Sequence, residues 1–362
     1  MDNRLLEARR IINEVDREMA ELFCQRMRAA EIIAQYKREH GLEILDADRE
    51  KEIIERGAER VDDPTLREYY VNFLKDTMKL SRSYQLRLNE GMRVAFSGTE
   101  GAFAHIAACR LFPTAKKLAY PNFESAYKAV EGGECDCAVL PLENSFNGEV
   151  GQVSDLIFSG TLYVNGVKDV SITQDLLGVP GTRIEDVREV VSHPQALGQC
   201  HEYIAKHGFT QKEYTNTALA AKYVKEKGEK SIAAIASAEA AEILGLCVLE
   251  KGINTSAGNT TRFAILSRAE NTPSDTTAKT TTLLFFTVRN EAGALAQAID
   301  VIGRHGFNMR SIRSRPMKEL LWQYYFYVEA EGNLNTDEGR AMLTELSEFC
   351  DRLRPAGTFI KN

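Results

Sequence analysis

The sequence predicts a multidomain protein: an all-α region comes first, an α/β region follows, and an α+β unit ends the chain. At 362 residues the chain is long enough for two or three domains. Residues 1 to 90 show long helical periodicity and few glycine or proline breakers. From Arg93 onward, short apolar runs alternate with glycine-containing turns and amphipathic helices. From Thr281, the order is strand, helix, strand, strand, helix, strand.

The composition predicts a soluble globular protein of the cytoplasm. The sequence is 44% hydrophobic and 27% charged, which is ordinary for that class. Its N-terminus is charged, and no stretch approaches the ~18 apolar residues of a membrane span, so we expect no signal peptide and no membrane partner. A net charge of −7 argues against a general nucleic-acid surface. An anionic ligand therefore needs a local cluster of cations.

Seven cysteines are scattered from Cys24 to Cys350, an odd number without the spacing of a disulfide framework. The one close pair, Cys135 and Cys137, lies in an apolar strand. We expect buried thiols and no metal site.

The first helix carries an apolar stripe with one misfit. Apolar or small residues recur at alternating spacings of three and four: Leu5, Ala8, Ile12, Val15, Met19, Leu22, Ala29, Ile33 and Tyr36. Arg26 falls on this stripe, where a buried cation needs an anion. Lys37 projects within ~20° of Arg26 around the helix, so both can reach one anionic ligand. The alternative is a plain dimeric coiled coil in which Arg26 is a stray, paired arginine.

Arg9 lies on the same helix, N-terminal to Arg26. The separation of the two residues is ~26 Å along the axis and ~100° around it. Arg9 therefore cannot share a small site with Arg26 unless a second chain brings it there.

Two further groups of polar residues follow. In "DADREKEII", Asp46 is placed to begin a helix with Arg49 and Glu50 in its first turn. In "SRSYQ", Ser81 and Gln85 lie at i and i+4 on one helix face. Each group alone is ordinary, since caps and polar helix faces are common.

Taken together, these basic and polar residues resemble the all-helical class of chorismate mutase domains over residues 1 to 90. The resemblance implies an intertwined homodimer, or a higher homo-oligomer, with chorismate as substrate. It assigns the two substrate carboxylates to Arg26, Lys37 and Arg49 of one chain and Arg9 of the other. Lys37 and Gln85 would face the ether oxygen and Glu50 the ring hydroxyl, while Asp46 and Ser81 would line the pocket. Such a pericyclic rearrangement needs a held conformer and well-placed cations but no nucleophile, metal or cofactor.

The middle region contains three strand-to-helix junctions and the stretch "NTTRFAIL" at residues 259 to 266. The junctions are "RVAFSGTEGAFAH", "CAVLPLENSFNG" and "EVVSHPQALGQC". None is a dinucleotide-binding fingerprint or a P-loop, so we expect no nucleotide. In this order the four motifs resemble the prephenate dehydratase domain over residues 92 to 268. That resemblance implies two α/β lobes around a cleft, similar to periplasmic binding proteins.

The same resemblance implies prephenate as substrate, no cofactor, and Thr261 as the catalytic threonine near the departing hydroxyl. An alcohol is too weak an acid to donate a proton near neutral pH, so positioning that hydroxyl is the better role. Glu143, Asn144 and Gln195 would share the polar cleft, with Glu143 or water supplying the proton.

Two other side chains of this region have two interpretations each. Arg262 would orient a carboxylate of the substrate or brace the cleft through an ion pair. His193, beside Pro194 at a helix start, would act as an acid or as a structural residue. The sequence leaves both alternatives open.

The last region, residues 281 to 362, has the βαββαβ order of a ferredoxin-like unit. Its predicted elements are "TLLFFTV", "AGALAQAIDVIGRH", "FNMRSIRS", "LLWQYYFYVEA" with Trp322, "TDEGRAMLTELSEFCDRL" and a short strand. The polar stretch before it, residues 269 to 280, has the composition of a linker. "EAGALAQAI", "FNM" and "SRP" resemble the ligand loop and following strand of the phenylalanine-binding ACT domain, which follows this dehydratase in its family.

The ACT resemblance implies that L-phenylalanine is an effector. The residues it assigns to that effector are Gly293, Ala294, Leu295, Asn308, Ser314, Arg315 and Pro316. Family members commonly have Glu before Ser-Arg-Pro, where this chain has Arg313. The departure leaves the fold untouched and inhibition by phenylalanine open.

We therefore expect a bifunctional enzyme that converts chorismate to prephenate and then to phenylpyruvate for phenylalanine synthesis. One alternative is a dehydratase that uses arogenate. Another, from a different class, is an amino-acid sensor with a vestigial helical domain, although the complete set of mutase residues weighs against it.

Overall fold

The computed structural model describes residues 3–255, 258–272, 279–317 and 323–360. The chain divides into two units, Met1–Arg93 and Val94–Asn362. Trp322, which the sequence assigns to a strand, lies outside the described residues. Among the described helices, none is long and apolar enough to cross a membrane.

The first unit consists of three helices, as the sequence predicts: α1 (Asn3–Glu39), α2 (Ala47–Ala58) and α3 (Pro64–Glu90). The Asp46 carboxylate caps α2 by accepting a hydrogen bond of 3.0 Å from the Arg49 N–H. Asp63 caps α3 in the same way, and Gly91, with φ of 77°, follows its last turn. Local capping signals therefore fix the starts of α2 and α3 and the end of α3.

Helix α1 leaves most of its apolar stripe uncovered. Over its 37 residues it buries Ala30 and Ala34. Side chains of the stripe toward the N-terminus are between 44% and 62% exposed: Leu5, Ile12, Val15, Met19 and Leu22. Full burial of such a side chain contributes about 1.5–3 kcal/mol. The described part of this unit does not supply that burial, and the pairing of two chains stays a prediction.

The second unit contains three sheets and the helices packed on them. Its strands are, in chain order, β1 (Arg93–Ser97), β2 (Lys116–Tyr120), β3 (Cys137–Asn144), β4 (Gly148–Glu149), β5 (Tyr163–Ser171), β6 (Asp175–Gly178), β7 (Glu189–Ser192), β8 (Thr210–Glu213), β9 (Ile232–Ala236), β10 (Cys247–Glu250), β11 (Thr260–Ser267), β12 (Thr280–Val288), β13 (Asn308–Pro316), β14 (Tyr324–Glu331) and β15 (Cys350–Ile360). Its helices are α4 (Phe103–Leu111), α5 (Phe123–Glu131), α6 (Gly151–Ser159), α7 (Pro194–Gln199), α8 (His201–His207), α9 (Thr217–Lys227), α10 (Ala238–Leu244), α11 (Ala294–Arg304) and α12 (Asp337–Phe349), with a 3₁₀ turn at Ile184–Asp186.

Two of the sheets form the two α/β lobes that the sequence predicts. The first sheet has the order β2-β1-β3-β11-β5, with β4 beside β3, and the second has the order β10-β6-β9-β7-β8. The chain leaves the first lobe after β5 and returns to it in β11. Strand β11 then pairs antiparallel with both β3 and β5. Thr260 at the start of β11 is opposite Ser171 at the end of β5. The chain therefore leaves the first lobe and re-enters it at the same place.

The prediction of buried thiols holds for part of the cysteines. Cys135, Cys137 and Cys200 are buried. The prediction is wrong for Cys24 and Cys247, which are exposed. Cys24 lies on the uncovered helix α1 and Cys247 on β10, an edge strand of the second sheet, so their surroundings cannot bury them.

The third sheet has the order β13-β14-β12-β15 and, with α11 and α12, gives the predicted βαββαβ order. Strand β12 is buried at every residue but its last because its two faces pack on different partners. Leu284 and Phe286 share a core with the two helices. Leu283 and Phe285 share a core with the first lobe. This C-terminal sheet therefore belongs to the same unit as the lobes.

The last helix and strand differ from the prediction. Helix α12 ends at Phe349, and residues 350–353, expected to be helical, begin β15, which has 11 residues rather than a few. Contacts distant in sequence override the local pattern, since β15 pairs along β12. Arg354 of β15 also donates to the backbone carbonyls of Ile157 and Leu162 in the first lobe, each over 2.6 Å.

Candidate active sites

A cavity of about 490 Å³ lies among the three helices of the first unit. Seven of the predicted mutase residues line it: Arg26, Lys37, Asp46, Arg49, Glu50, Ser81 and Gln85. Arg26 and Lys37 come together because they lie on one face of α1, as their spacing predicts. Helix α3 supplies Ser81 and Gln85 from the opposite wall.

Hydrogen bonds hold the two cations of α1 against the cavity walls. Arg26 donates to the Ser81 hydroxyl and, over 3.4 Å, to the Thr77 carbonyl. Burial lowers the pKa of Arg26, but a guanidinium remains charged at any physiological pH. Lys37 Nζ donates to the Ile44 carbonyl over 2.7 Å. Among the described residues, the bonds given for both cations go to neutral groups, and no ion pair with an anionic side chain is formed.

Gln85 offers an unused polar atom to this cavity. Gln85 is 7% exposed, and its Oε1 has no hydrogen-bond partner among the described residues. Leaving a buried polar atom unpaired costs about 1–3 kcal/mol. A polar ligand in the cavity would remove that cost.

One charged lining residue, Arg82, is missing from the set that the sequence indicates. It forms an ion pair with Glu50 and lies three residues before Gln85 on α3, so it borders the same helix face. With Arg82 the cavity has four basic and two acidic lining side chains, an excess of positive charge that suits a dianion. Arg49, in contrast, forms an ion pair with Glu52 on its own helix.

Arg9 is not among the residues that line this cavity. It is exposed on α1, and ~26 Å of helix separates it from Arg26. Its neighbour Arg10 pairs with Glu7 and Glu14, over 2.7 and 2.8 Å. Within one chain, therefore, the structure does not bring Arg9 to the other seven residues.

A second cavity, of about 560 Å³, lies in the cleft between the two α/β lobes. Asn144 and Thr261 line it from the first lobe, and Gln195 and His193 from the second. Thr261 and Asn144 are directly opposed on the paired strands β11 and β3. Sheet register therefore puts these two polar side chains on the cleft face together.

The Asn144 side chain holds the Thr261 hydroxyl in one orientation. Its Oδ1 accepts from the backbone N–H groups of Phe146 and Asn147, over 3.0 and 3.1 Å, which fixes which end of the amide is the nitrogen. Its Nδ2 donates to Thr261 Oγ1 over 2.9 Å and to Asn259 Oδ1 over 2.8 Å. Because Thr261 Oγ1 accepts this bond, its own proton is free to be donated into the cleft.

A chain of side-chain amides closes the floor of the cleft. Asn259 Nδ2 donates to Gln199 Oε1 over 2.9 Å, and Gln174 Nε2 donates to the same oxygen over 3.3 Å. Gln174 is 2% exposed, and its Oε1 has no partner among the described residues. Sequence reasoning missed Gln174, which belongs to no motif, and passed over Gln199, which lies within the stretch "EVVSHPQALGQC". Asn259 is the first residue of the "NTTRFAIL" stretch, so the sequence could have indicated it.

His193 caps a helix, and this fits the structural role that was one of its two interpretations. It is the N-cap of α7, and its Nδ1 accepts from the Gln195 N–H over 3.2 Å. The cap orients the first turn of α7, and this places Gln195 at the cleft.

Glu143 and Arg262 are not among the residues that line the cleft cavity. Alternate residues of a strand face opposite sides, so the neighbours of Asn144 and Thr261 point away from the cleft. Arg262 instead makes two hydrogen bonds to Glu329 of the C-terminal sheet, over 2.8 and 2.9 Å, and lies 3.4 Å from Glu143. The bonds to Glu329 raise the pKa of Arg262. This corrects the prediction of both side chains in the cleft, and of the two roles considered for Arg262 the geometry fits the brace.

The residues predicted for phenylalanine do not form one cluster within the chain. Gly293, Ala294 and Leu295 begin α11, whereas Ser314, Arg315 and Pro316 end β13. These two segments lie at the same end of the sheet, because Ser314 and Phe286 are both opposite Phe326. Asn308 begins β13 at the other end, where it donates to Glu331 over 3.2 Å.

Similarity to known proteins covers both units. The family model of chorismate mutase type II matches residues 8–86, and that of prephenate dehydratase matches residues 94–271. A bifunctional chorismate mutase/prephenate dehydratase of Enterobacter agglomerans is 30% identical over 373 residues, which cover 99% of this chain and 96% of the relative. The chain belongs to this bifunctional family. It is thus an enzyme of phenylalanine biosynthesis with a chorismate mutase domain and a prephenate dehydratase domain.

Two further relatives resemble the second unit. An arogenate dehydratase/prephenate dehydratase of Arabidopsis thaliana is 33% identical over 277 residues, or 74% of this chain and 72% of the relative. The crystal structure of a prephenate dehydratase in complex with L-Phe, from Arthrobacter aurescens, matches with a TM-score of 0.68 and 28% identity, over 75% of this chain and 90% of that chain. The C-terminal sheet lies beyond the residues that the two family models match.

Proposed function

We propose that the three-helix cavity converts chorismate to prephenate and that the cleft between the lobes converts prephenate to phenylpyruvate. The corresponding domains are residues 1–90 for the mutase, 92–268 for the dehydratase, and 281–362 for an ACT domain that binds L-phenylalanine. The observation that carries the dehydratase assignment is the Asn144–Thr261 hydrogen bond inside the cleft. For the mutase it is the excess of basic side chains around a Gln85 oxygen that has no hydrogen-bond partner in the described part of the chain.

In the mutase cavity, the protein holds one conformer of a dianion. Arg26 and Lys37 bind carboxylate and ether oxygens, and Gln85 contributes its free amide atom. Glu50, paired with Arg82, faces the ring hydroxyl. Cations near the breaking C–O bond stabilise the negative charge that develops on its oxygen. A homodimer would add Arg9 of the partner subunit.

In the dehydratase cleft, the reaction removes CO₂ and water from prephenate. The bond to the ring carboxylate breaks and its electron pair enters the ring. The bond to the 4-hydroxyl then breaks, and the departing oxygen takes up one proton. Thr261 donates a hydrogen bond to that oxygen, oriented by Asn144, and the proton comes from water. Gln195 holds the substrate from the second lobe.

The C-terminal sheet is proposed as the phenylalanine site. Support comes from the relative that was crystallised with L-Phe and from the two predicted ligand segments at one end of the sheet. The substitution of Arg for the common Glu before Ser-Arg-Pro leaves the strength of inhibition to experiment.

Chorismate supplied to the purified full-length chain tests both steps. We expect prephenate to appear first and phenylpyruvate second, with neither rate changed by EDTA. Supplying prephenate and arogenate at equal concentration separates the two dehydratase substrates, and faster turnover of arogenate would replace prephenate in this proposal. If the chain binds phenylalanine but converts none of these substrates, the result would contradict the proposed activities and support the alternative of an amino-acid sensor.

A further inference from the structure

Strand β13 of the C-terminal sheet presents two arginines to carboxylates of the first lobe. Arg313 and Arg315 are two residues apart, so they share one face of the strand. Arg313 forms an ion pair with Glu143 on β3. Arg315 Nε lies 3.2 Å from Asp155 on α6, and its Nη1 lies 3.8 Å from Glu149 on β4. The contact is therefore a row of opposite charges between two parts of one unit.

Within this row, Glu143 contacts two arginines. It lies between Arg313 and Arg262, and Arg262 is held in turn by Glu329. The side chains of Arg313 and Glu143 are 25% and 23% exposed. The Arg313 guanidinium also lies 5.5 Å from the ring centroid of Tyr327. Partial burial and several partners make this pair stronger than an ordinary surface ion pair.

The strand that carries Glu143 also carries the key amide of the cleft. Asn144 follows Glu143 directly, at the end of β3. Glu143 is opposite Glu149 and Asn144 is opposite Gly148 in the pairing of β3 with β4. Alternation sends Glu143 toward the C-terminal sheet and Asn144 toward Thr261. A displacement of Glu143 therefore displaces the backbone that aims Asn144.

We propose that Arg313 is a positioning residue of the dehydratase. From the C-terminal sheet it holds Glu143 and thereby fixes the end of β3, so that the Asn144 amide keeps its hydrogen bond to the Thr261 hydroxyl. The inference rests on the proposed roles of Asn144 and Thr261 in the cleft. Family members commonly have Glu at the position of Arg313, and that Glu could not play this role. A third carboxylate beside Glu143 and Glu329 would repel both.

The test compares variants of the full-length chain, with prephenate supplied directly and phenylpyruvate measured. Arg313→Gln should lower kcat about tenfold with KM changed less than about twofold, since the substrate contacts remain but the hydroxyl is less well oriented. Arg313→Lys should keep most of the activity, because a single terminal nitrogen of Arg313 makes the contact with Glu143. Mutase activity on the other unit should stay at the wild-type level in both variants.

Two controls separate positioning from a loosened contact. Arg354→Gln removes another arginine that joins the C-terminal sheet to the first lobe, but one that touches Ile157 and Leu162; its kcat should stay near wild type. In a Glu143→Gln background, Arg313→Gln should change kcat by less than about twofold, because its partner is already gone.

Three outcomes would overturn the inference: an unchanged kcat in Arg313→Gln, an equal loss in Arg354→Gln, or the same tenfold loss in the Glu143→Gln background. A wild-type chain that does not convert prephenate would remove the proposed function, and this inference with it. Wild-type turnover together with an indifferent Arg313→Gln variant would remove the inference alone.

Discussion

The two candidate sites differ in how much of each a single chain completes. The helical cavity gathers seven predicted residues but leaves Arg9 on an exposed helix. The dehydratase cleft takes residues from two lobes of one chain. The helical unit exposes its apolar stripe, whereas the first lobe and the C-terminal sheet share a buried core.

Geometry explains this difference. A helix of 37 residues is about 55 Å long, longer than α2 and α3 can cover. A sheet, in contrast, buries both faces when helices or a second layer pack on it, and β9 is buried at all of its residues. We infer that a long amphipathic helix supplies half of a shared site, while two sheets joined by a returning strand supply a whole one.

The sharpest way to break this comparison is to mix subunits with defects in the mutase. Arg9→Ala and Arg26→Ala should each lose about 100-fold or more of mutase activity. If each pocket combines Arg9 of one subunit with Arg26 of the other, refolding an equal mixture gives half heterodimers, each with one intact pocket. About a quarter of wild-type activity should then return.

Arg10→Ala is the matched control for that experiment, because Arg10 pairs with Glu7 and Glu14 on its own helix. It should retain activity near wild type. A mixture that stays as inactive as its parents, despite demonstrated subunit exchange, would contradict the shared pocket.

The dehydratase should behave in the opposite way when subunits are mixed. Thr261→Ala should lose about 100-fold of phenylpyruvate formation, and Gln195→Ala should also lose activity, while the mutase stays near wild type in both. Refolding these two variants together should restore nothing, because Thr261 and Gln195 line one cleft of one chain. Thr260→Ala, the same substitution one residue away, should leave phenylpyruvate formation nearly unchanged. Recovery after mixing would mean that the cleft, too, is shared between chains.

Sequence reasoning succeeded where a regular period fixes the direction of a side chain. The spacing of Arg26 and Lys37 determined their common face on α1, and both line one cavity. On β11, likewise, a period of two prevents Thr261 and Arg262 from facing the cleft together. The sequence left Arg262 to orient a carboxylate or to brace the cleft through an ion pair, and it could not identify Glu329 as the ion-pair partner.

Other features were beyond the reach of local pattern. Gln199 accepts hydrogen bonds from Gln174 and Asn259, both distant from it in sequence, and the three meet because the chain crosses twice between the lobes. The length of β15 depends on pairing with β12 and on contacts with the first lobe. Neither leaves a signal in a short stretch of sequence, since both come from contacts between distant residues.

The smallest expected effect concerns how the C-terminal sheet is joined to the cleft lobe of its own chain. Glu329→Gln should lower the free energy of unfolding of the second unit by about 2 kcal/mol at pH 7, because it leaves the partly buried Arg262 without its main anion. Burial alone would raise the pKa of Glu329, but the hydrogen bonds and charge of Arg262 outweigh it and the pKa is lowered. Its contribution to the free energy of unfolding is therefore complete above the unfolded-state pKa of about 4.3 and is lost as the pH falls through the lower folded-state pKa.

Calorimetric unfolding from pH 7 to pH 3 should show a constant difference in stability between wild type and the Glu329→Gln variant down to about pH 4.5, and a shrinking difference below it. Glu331→Gln, two residues along the same strand and paired with Arg310 at the surface, should show a much smaller difference. A difference for Glu329→Gln that is absent at pH 7, or that grows as the pH falls, would mean that this ion pair does not stabilise the contact between sheet and lobe.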